Sequence, residues 1–142
     1  MPRRAWPAAA LVAALALSPS LADVVAMSLE ERLATAAVVV LGPMQAIAEA
    51  PPDARGLVRR EGRIRAERVL KGDLAPGAVL TVALPPRGPG GRPTGADLGP
   101  PLGAPMLWLP AARGGTLHLD RLDRILPPSA APQVERILGL AP

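Results

Sequence analysis

Apolar and polar positions follow three different rhythms along this chain, and each rhythm predicts a different element. Residues 8–17 are apolar without interruption. Leu29 and Leu33 then lie one helical turn apart, within and just after Ser28-Leu29-Glu30-Glu31. That tetrapeptide is a capping box, in which Ser28 accepts from the third helical amide while Glu31 reaches back. A short helix from Leu29 to about Thr35 follows. Residues 36–41 are continuously apolar and rich in valine, which suits a buried strand rather than a helix of that length. Gly42 and Pro43 predict a bend or bulge before Met44 to Ala48 continue the strand. Residues 57–70 predict a long strand, with Ile64 and Ala66 alternating with Arg63, Arg65 and Glu67 to give one apolar and one charged face. The alternation slips at Arg68-Val69-Leu70, where a bulge is expected, and Lys71-Gly72-Asp73 closes the segment in a turn. Leu80, Val82 and Leu84 share one face of a strand over residues 78–84. Residues 106–109 and 116–120 predict two more, the second alternating through Leu117 and Leu119. Leu122, Ile125 and Leu126 extend the apolar run. Val134, Ile137 and Leu138 have helical spacing, with Pro132 tolerated in the first turn.

One short helix, five strands and a terminal helix, with no internal repeat and no long helix between strands, predict a mainly β fold. Five short strands around one core suggest a small antiparallel barrel. Between the third and fourth strands, residues 85–105 hold seven Pro and six Gly. Such a segment cannot be a helix or a central strand. It predicts a long loop of the kind on which binding modules carry specificity.

The chain terminus changes the picture of where the protein works. Arg3 and Arg4 precede the apolar run, and Pro19-Ser20-Leu21-Ala22 supplies a break followed by small residues, the layout of a secretory signal peptide. The expected organisation is a signal over residues 1–22 and a single domain over 23–142, placed in the periplasm or outside the cell. As a helix the run spans about 15 Å, half of the hydrocarbon core of about 30 Å, so a permanent anchor is not expected, and no later segment approaches 18 uninterrupted apolar residues. The chain carries 16 Lys+Arg and 12 Asp+Glu, a net +4. Loss of Arg3 and Arg4 leaves 14 basic groups against 12 acidic ones, a net +2, and whole-molecule attraction to polyanions is then weak.

Few residues are equipped for chemistry. There is no Cys, which excludes a disulfide scaffold, a thiolate zinc site and a cysteine nucleophile. His118 is the sole histidine, and beside Asp120 it reads as part of a solvated strand face; a zinc site there would need carboxylates for every other ligand. Asp120 and Asp123 could pair as general acid and base for a carboxylate hydrolase, but pairing with Arg121 and Arg124 is the simpler reading. After the signal, Ser28 and Ser129 are the only serines, and neither lies in Gly-x-Ser-x-Gly. The Gly/Pro segment has no Gly-Lys-Ser/Thr after it, which argues against a phosphate loop. Trp108, between Leu107 and Leu109, is expected in the core. No catalytic residue, cofactor or metal is expected.

The stretch Ile64-Arg65-Ala66-Glu67-Arg68-Val69-Leu70-Lys71-Gly72 follows a helix leading into a valine-rich strand and precedes strands at 78–84 and 106–109. This order resembles the barrel of the netrin-module and tissue-inhibitor-of-metalloproteinases superfamily, especially its exported bacterial relatives, over roughly residues 28–126. The resemblance implies an OB-like barrel and a habit of binding proteins. The animal inhibitors hold a protease zinc through an amino-terminal Cys, and that mechanism and the family's disulfides do not carry over to a chain without cysteine.

Residues 55–71 concentrate seven basic residues against Glu61 and Glu67. Arg59, Arg60, Arg63 and Arg65, with Arg87 and Arg92 of the Gly/Pro segment, are the expected contact surface for a partner. The expected function is an exported, non-enzymatic module that binds an unidentified protein. The alternative is an envelope component binding polyanion or lipid headgroups through the arginine face. Sequence-specific nucleic-acid binding is not expected, because stacking aromatics are missing.

Overall fold

The computed structural model describes residues 27–88 and 101–140. The expected signal, Arg92 and most of the Gly/Pro segment lie outside the described residues. Helix α1 spans Leu29–Thr35 and starts on the anticipated box: Ser28 Oγ accepts from the Glu31 amide at 3.1 Å, and Glu31 Oε1 accepts from the Ser28 amide at 3.3 Å. Eight strands follow: β1 Val39–Glu49, β2 Val58–Arg65, β3 Arg68–Lys71, β4 Val79–Arg87, β5 Pro105–Trp108, β6 Ala111–Arg113, β7 Thr116–His118 and β8 Ile125–Leu126. Helix α2, Ala131–Ile137, ends the fold with Pro132 in its first turn.

The protein is mainly β, with one curled half-barrel sheet in the order β6-β7-β4-β2-β1-β5-β8 and β3 paired to β1. The expectation of five strands is corrected to eight. The segment 57–70 divides at Ala66-Glu67 into β2 and β3, the chain beyond Trp108 forms β6, and Ile125-Leu126 adds β8. Nor is every pairing antiparallel: β4 and β7 run parallel, with Ala83 opposite His118.

Bulges curl the sheet, because an extra residue on one strand increases local twist. Val39 faces Lys71 but Val40 faces Val69, so Leu70 is the extra residue of β3, inside the expected slip. On β1 the extra residue is Gln45, not Gly42-Pro43, since Met44 faces Ile64 and Ala46 faces Arg63. Gly42 serves a different purpose: a Cβ there would lie 1.9 Å from the Arg65 carbonyl oxygen. The strand ending expected at Leu84 continues to Arg87, because a register shift opposite Val58 and Arg60 accommodates Pro85 and Pro86. Proline is tolerated in strands at such irregularities.

Burial falls in two layers. Inside the curl lie Val40, Met44, Ile64, Ala66, Leu80, Val82, Leu84, Trp108 and Leu119. Trp108 is fully buried, and its indole N–H donates to the Gly42 carbonyl at 2.6 Å. Behind the curl, Leu33 and Ala36 from the α1 end and Val134 of α2 cover Val39, Leu70, Leu107 and Leu109. The start of β1 is therefore buried on both faces, which is why its sequence is continuously apolar rather than alternating.

Candidate functional site

Strand β2 alternates strictly between exposed and buried residues from Arg59 to Arg65. A two-residue period puts Arg59, Glu61, Arg63 and Arg65 on the outer face and Arg60, Gly62 and Ile64 on the inner one. The anticipated contact surface is thus split: Arg59, Arg63 and Arg65 are brought together, and Arg60 is not with them. Flanking side chains on the outer face are short. Ala46 on β1 and Thr81 on β4 lie opposite Arg63, and Val79 lies opposite Arg65; all are exposed. Among the described residues, Arg59, Arg63 and Arg65 take part in no ion pair within 4.0 Å.

Arg60 is only 4% exposed and belongs to a structural cluster. Its Nε lies 3.6 Å from Glu49 Oε2, and the Arg87 guanidinium approaches the same oxygen at 3.5 Å. One carboxylate bridging two guanidiniums ties the ends of β1, β2 and β4 together. Arg87 is consequently occupied, although it remains partly exposed.

A cleft of about 600 Å³, which Arg60 also lines, opens between this end of the sheet and the β6–β7 hairpin. Strands β2 and β4 form one wall, through Arg59, Glu61 and Ala83. The β6–β7 hairpin forms the other, through Arg113, His118 and Asp120. Gly114 and Gly115 turn that hairpin, both with positive φ, the conformation a two-residue hairpin requires. His118 and Asp120 therefore line a recess rather than a solvated face. Asp120 pairs with Arg113, and its Oδ1 is buried with no hydrogen-bond partner among the described residues. The Gly-Gly dipeptide between short apolar runs signals this hairpin, and with it Arg113, which the residue types alone did not bring forward.

The remaining charges hold the fold together. Arg121 donates to both oxygens of Asp123 at 2.9 and 2.8 Å, which lowers the Asp123 pKa and raises that of Arg121. The expected pairing of Asp120 with Arg121 or Arg124 does not occur. Arg124 is buried instead. It donates to the Leu109 carbonyl at 3.0 Å, the Arg32 carbonyl at 3.3 Å and Thr35 Oγ1 at 2.7 Å, and burial lowers its pKa. Lys71 Nζ donates to the Leu33 carbonyl at 2.8 Å. Two cations thus meet the C-terminal carbonyls of α1, where the helix dipole favours them.

Asp53 organises the turn before β2. Its Oδ1 accepts from the Leu57 amide at 2.9 Å and the Arg55 amide at 2.8 Å, and the Leu57 bond is the main cause of its lowered pKa. Among the described residues, no group of three or more His, Asp or Glu is placed to hold a metal, and no helix is long and apolar enough to cross a membrane. Comparison with protein-family models and with curated proteins gives no match to this chain.

Proposed function

We propose that the chain is an exported, non-enzymatic binding module with an OB-like barrel, related to the netrin-module superfamily, and that it engages an acidic surface of a protein partner in the periplasm or outside the cell. The observation that carries this reading is the outer face of β2. Arg63 and Arg65 stand there over alanine, threonine and valine, with Arg59 beyond Glu61 on the same face, and none of the three is in an ion pair among the described residues. Arginine is suited to recognising carboxylates because its planar fork can donate two parallel hydrogen bonds.

Two features support the OB-like reading. Strand β7 runs parallel to β4, and only Leu109 and Pro110 separate β5, paired to β1, from β6, paired to β7. That path turns the two ends of the sheet towards each other, as a partly open Greek-key barrel needs. A face without aromatic rings disfavours single-stranded nucleic acid, which binds OB surfaces by stacking.

The test is affinity capture from the organism's own envelope and secreted fractions, with the immobilised full chain beside its Arg63→Glu/Arg65→Glu variant, at low and high salt. The expected result is one protein retained at both salt concentrations by the parent and lost by the variant. Retention by both forms alike would contradict the assigned face. Heterogeneous material released by salt would point to polyanion or headgroup binding, since attraction between exposed charges is screened within about 10 Å at 0.1 M salt.

A further inference from the structure

The edge of β4 beside the arginine face is open. Strand β4 pairs along its length with β2, but on its other side its one ladder pairing with β7 is at Ala83. The Leu119 amide donates to the Ala83 carbonyl at 2.9 Å, so the backbone of Ala83 points away from β2. In an antiparallel pair, residues alternate between pointing at the partner strand and pointing away from it. Thr81 and Val79, two and four positions before Ala83, therefore also turn their N–H and C=O groups away from β2. The Ala66 amide donates to the Ala78 carbonyl at 2.8 Å, which fixes the same alternation from the other end. Among the described residues nothing pairs with these outward groups of Val79 and Thr81. Val79 is also 54% exposed, one of the few large apolar side chains so placed.

We infer that this edge receives an extended acidic segment of the partner, which adds to the sheet as a strand beside β4 and sets its carboxylates against Arg63 and Arg65. The inference rests on the binding-module reading and specifies its mode of contact. Residues facing each other across a strand pair share one face of the sheet, so Val79, Thr81, Arg63 and Arg65 all present their side chains outward. A strand added beyond β4 would place every second side chain on that face, about 10 Å from β2, at two strand spacings of roughly 4.8 Å. Arginine and glutamate together span that gap, and the side chains in between, Thr81 and Val79, are too short to block it. Backbone pairing with an exposed edge supplies affinity, and the alternate side chains supply selectivity. Alternating charge on a segment otherwise suited to a strand is what this edge selects.

The probe is a short, terminally blocked peptide of alternating Glu and Val, titrated into the full chain while amide exchange is followed residue by residue. The expected result has three parts. The Val79 and Thr81 amides exchange readily in the free protein and slow by at least about tenfold when the peptide binds. Arg63→Glu/Arg65→Glu loses the binding. So does the same peptide with every amide N-methylated. A Thr81→Pro variant removes only an outward donor, and proline is tolerated at an edge facing solvent; it should weaken binding while the rest of the spectrum is unchanged. Arginine-dependent binding that leaves the Val79 and Thr81 amides unprotected, or that survives N-methylation, overturns the edge pairing and leaves the arginine face standing. Protection of both amides in the free chain also overturns it, because the edge is then already covered. No binding at about 1 mM peptide, or binding indifferent to Arg63 and Arg65, overturns both readings.

Discussion

Two regions of the sheet use arginine in opposite ways. On the helix-covered side, Arg124 is 4% exposed and is spent on the Leu109 and Arg32 carbonyls and the Thr35 hydroxyl, while Arg32 donates to the Asp123 carbonyl at 2.7 Å. The start of strand β1, at Val39 and Val40, is buried there on both faces. On the open side, β2 has one bare face, and Arg59, Arg63 and Arg65 stand on it without an ion pair among the described residues. The same residue type is structural in one place and available in the other. What separates them is the partner: backbone carbonyls at a helix end and strand junction bind a buried guanidinium permanently, whereas short neighbouring side chains leave an exposed one unoccupied.

The sharpest break in the comparison is at the seam between the two sides. Gly42→Ala would drive a Cβ to 1.9 Å from the Arg65 carbonyl oxygen, a backbone atom that cannot rotate away. Loss of cooperative thermal unfolding is expected, with a cost above about 4 kcal/mol. On the helix-covered side, Arg124→Met removes the donor to the Leu109 carbonyl and the Thr35 hydroxyl, while the Arg32 carbonyl keeps the Ala36 amide at 3.0 Å. Chemical denaturation should show a loss of about 3 kcal/mol, the order expected for buried acceptors left unsatisfied.

A smaller effect is expected at Asp123, whose pKa is lowered chiefly by the hydrogen bond from Arg121. A carboxylate with a lowered folded pKa contributes stability that is present above its unfolded value and is lost as pH falls through the folded value. Stability should therefore decline on the acid side of the ordinary carboxylate range, and Asp123→Asn should flatten that limb of a stability-against-pH curve. The least effect is expected on the open side. Arg63→Ala/Arg65→Ala should change stability by no more than about 0.5 kcal/mol, since these side chains support nothing. A large loss there would erase the distinction between the two sides.

Much of this was legible in residue patterns, and the exceptions have physical causes. The capping box, the valine run of β1 and the alternation of β2 are local signals, and each marks its element. Leu70 falls in the bulge that the slipped alternation predicts. Arg60 could not be separated from Arg59 by charge alone, but strand parity assigns them to opposite faces, and the short segment from Arg59 to Ile64 carries that parity. The parallel contact of β4 with β7, the open edge at Val79 and Thr81, and the recess holding His118 and Asp120 were not legible. They depend on which strands meet across long sequence separations, and a single sequence does not encode those pairings locally. The burial of Arg124 was hidden for the same reason: its acceptors come from α1 and from the junction after β5.

The most direct test of the division is arginine-selective modification with phenylglyoxal, read site by site by mass spectrometry, in the free chain and with the captured partner bound. Fast reaction is expected at Arg59, Arg63 and Arg65, slow reaction at Arg60 and Arg124, and protection of Arg63 and Arg65 by the partner. Reaction of Arg124 as fast as Arg63, or a partner that leaves Arg63 and Arg65 as reactive as before, would contradict that division.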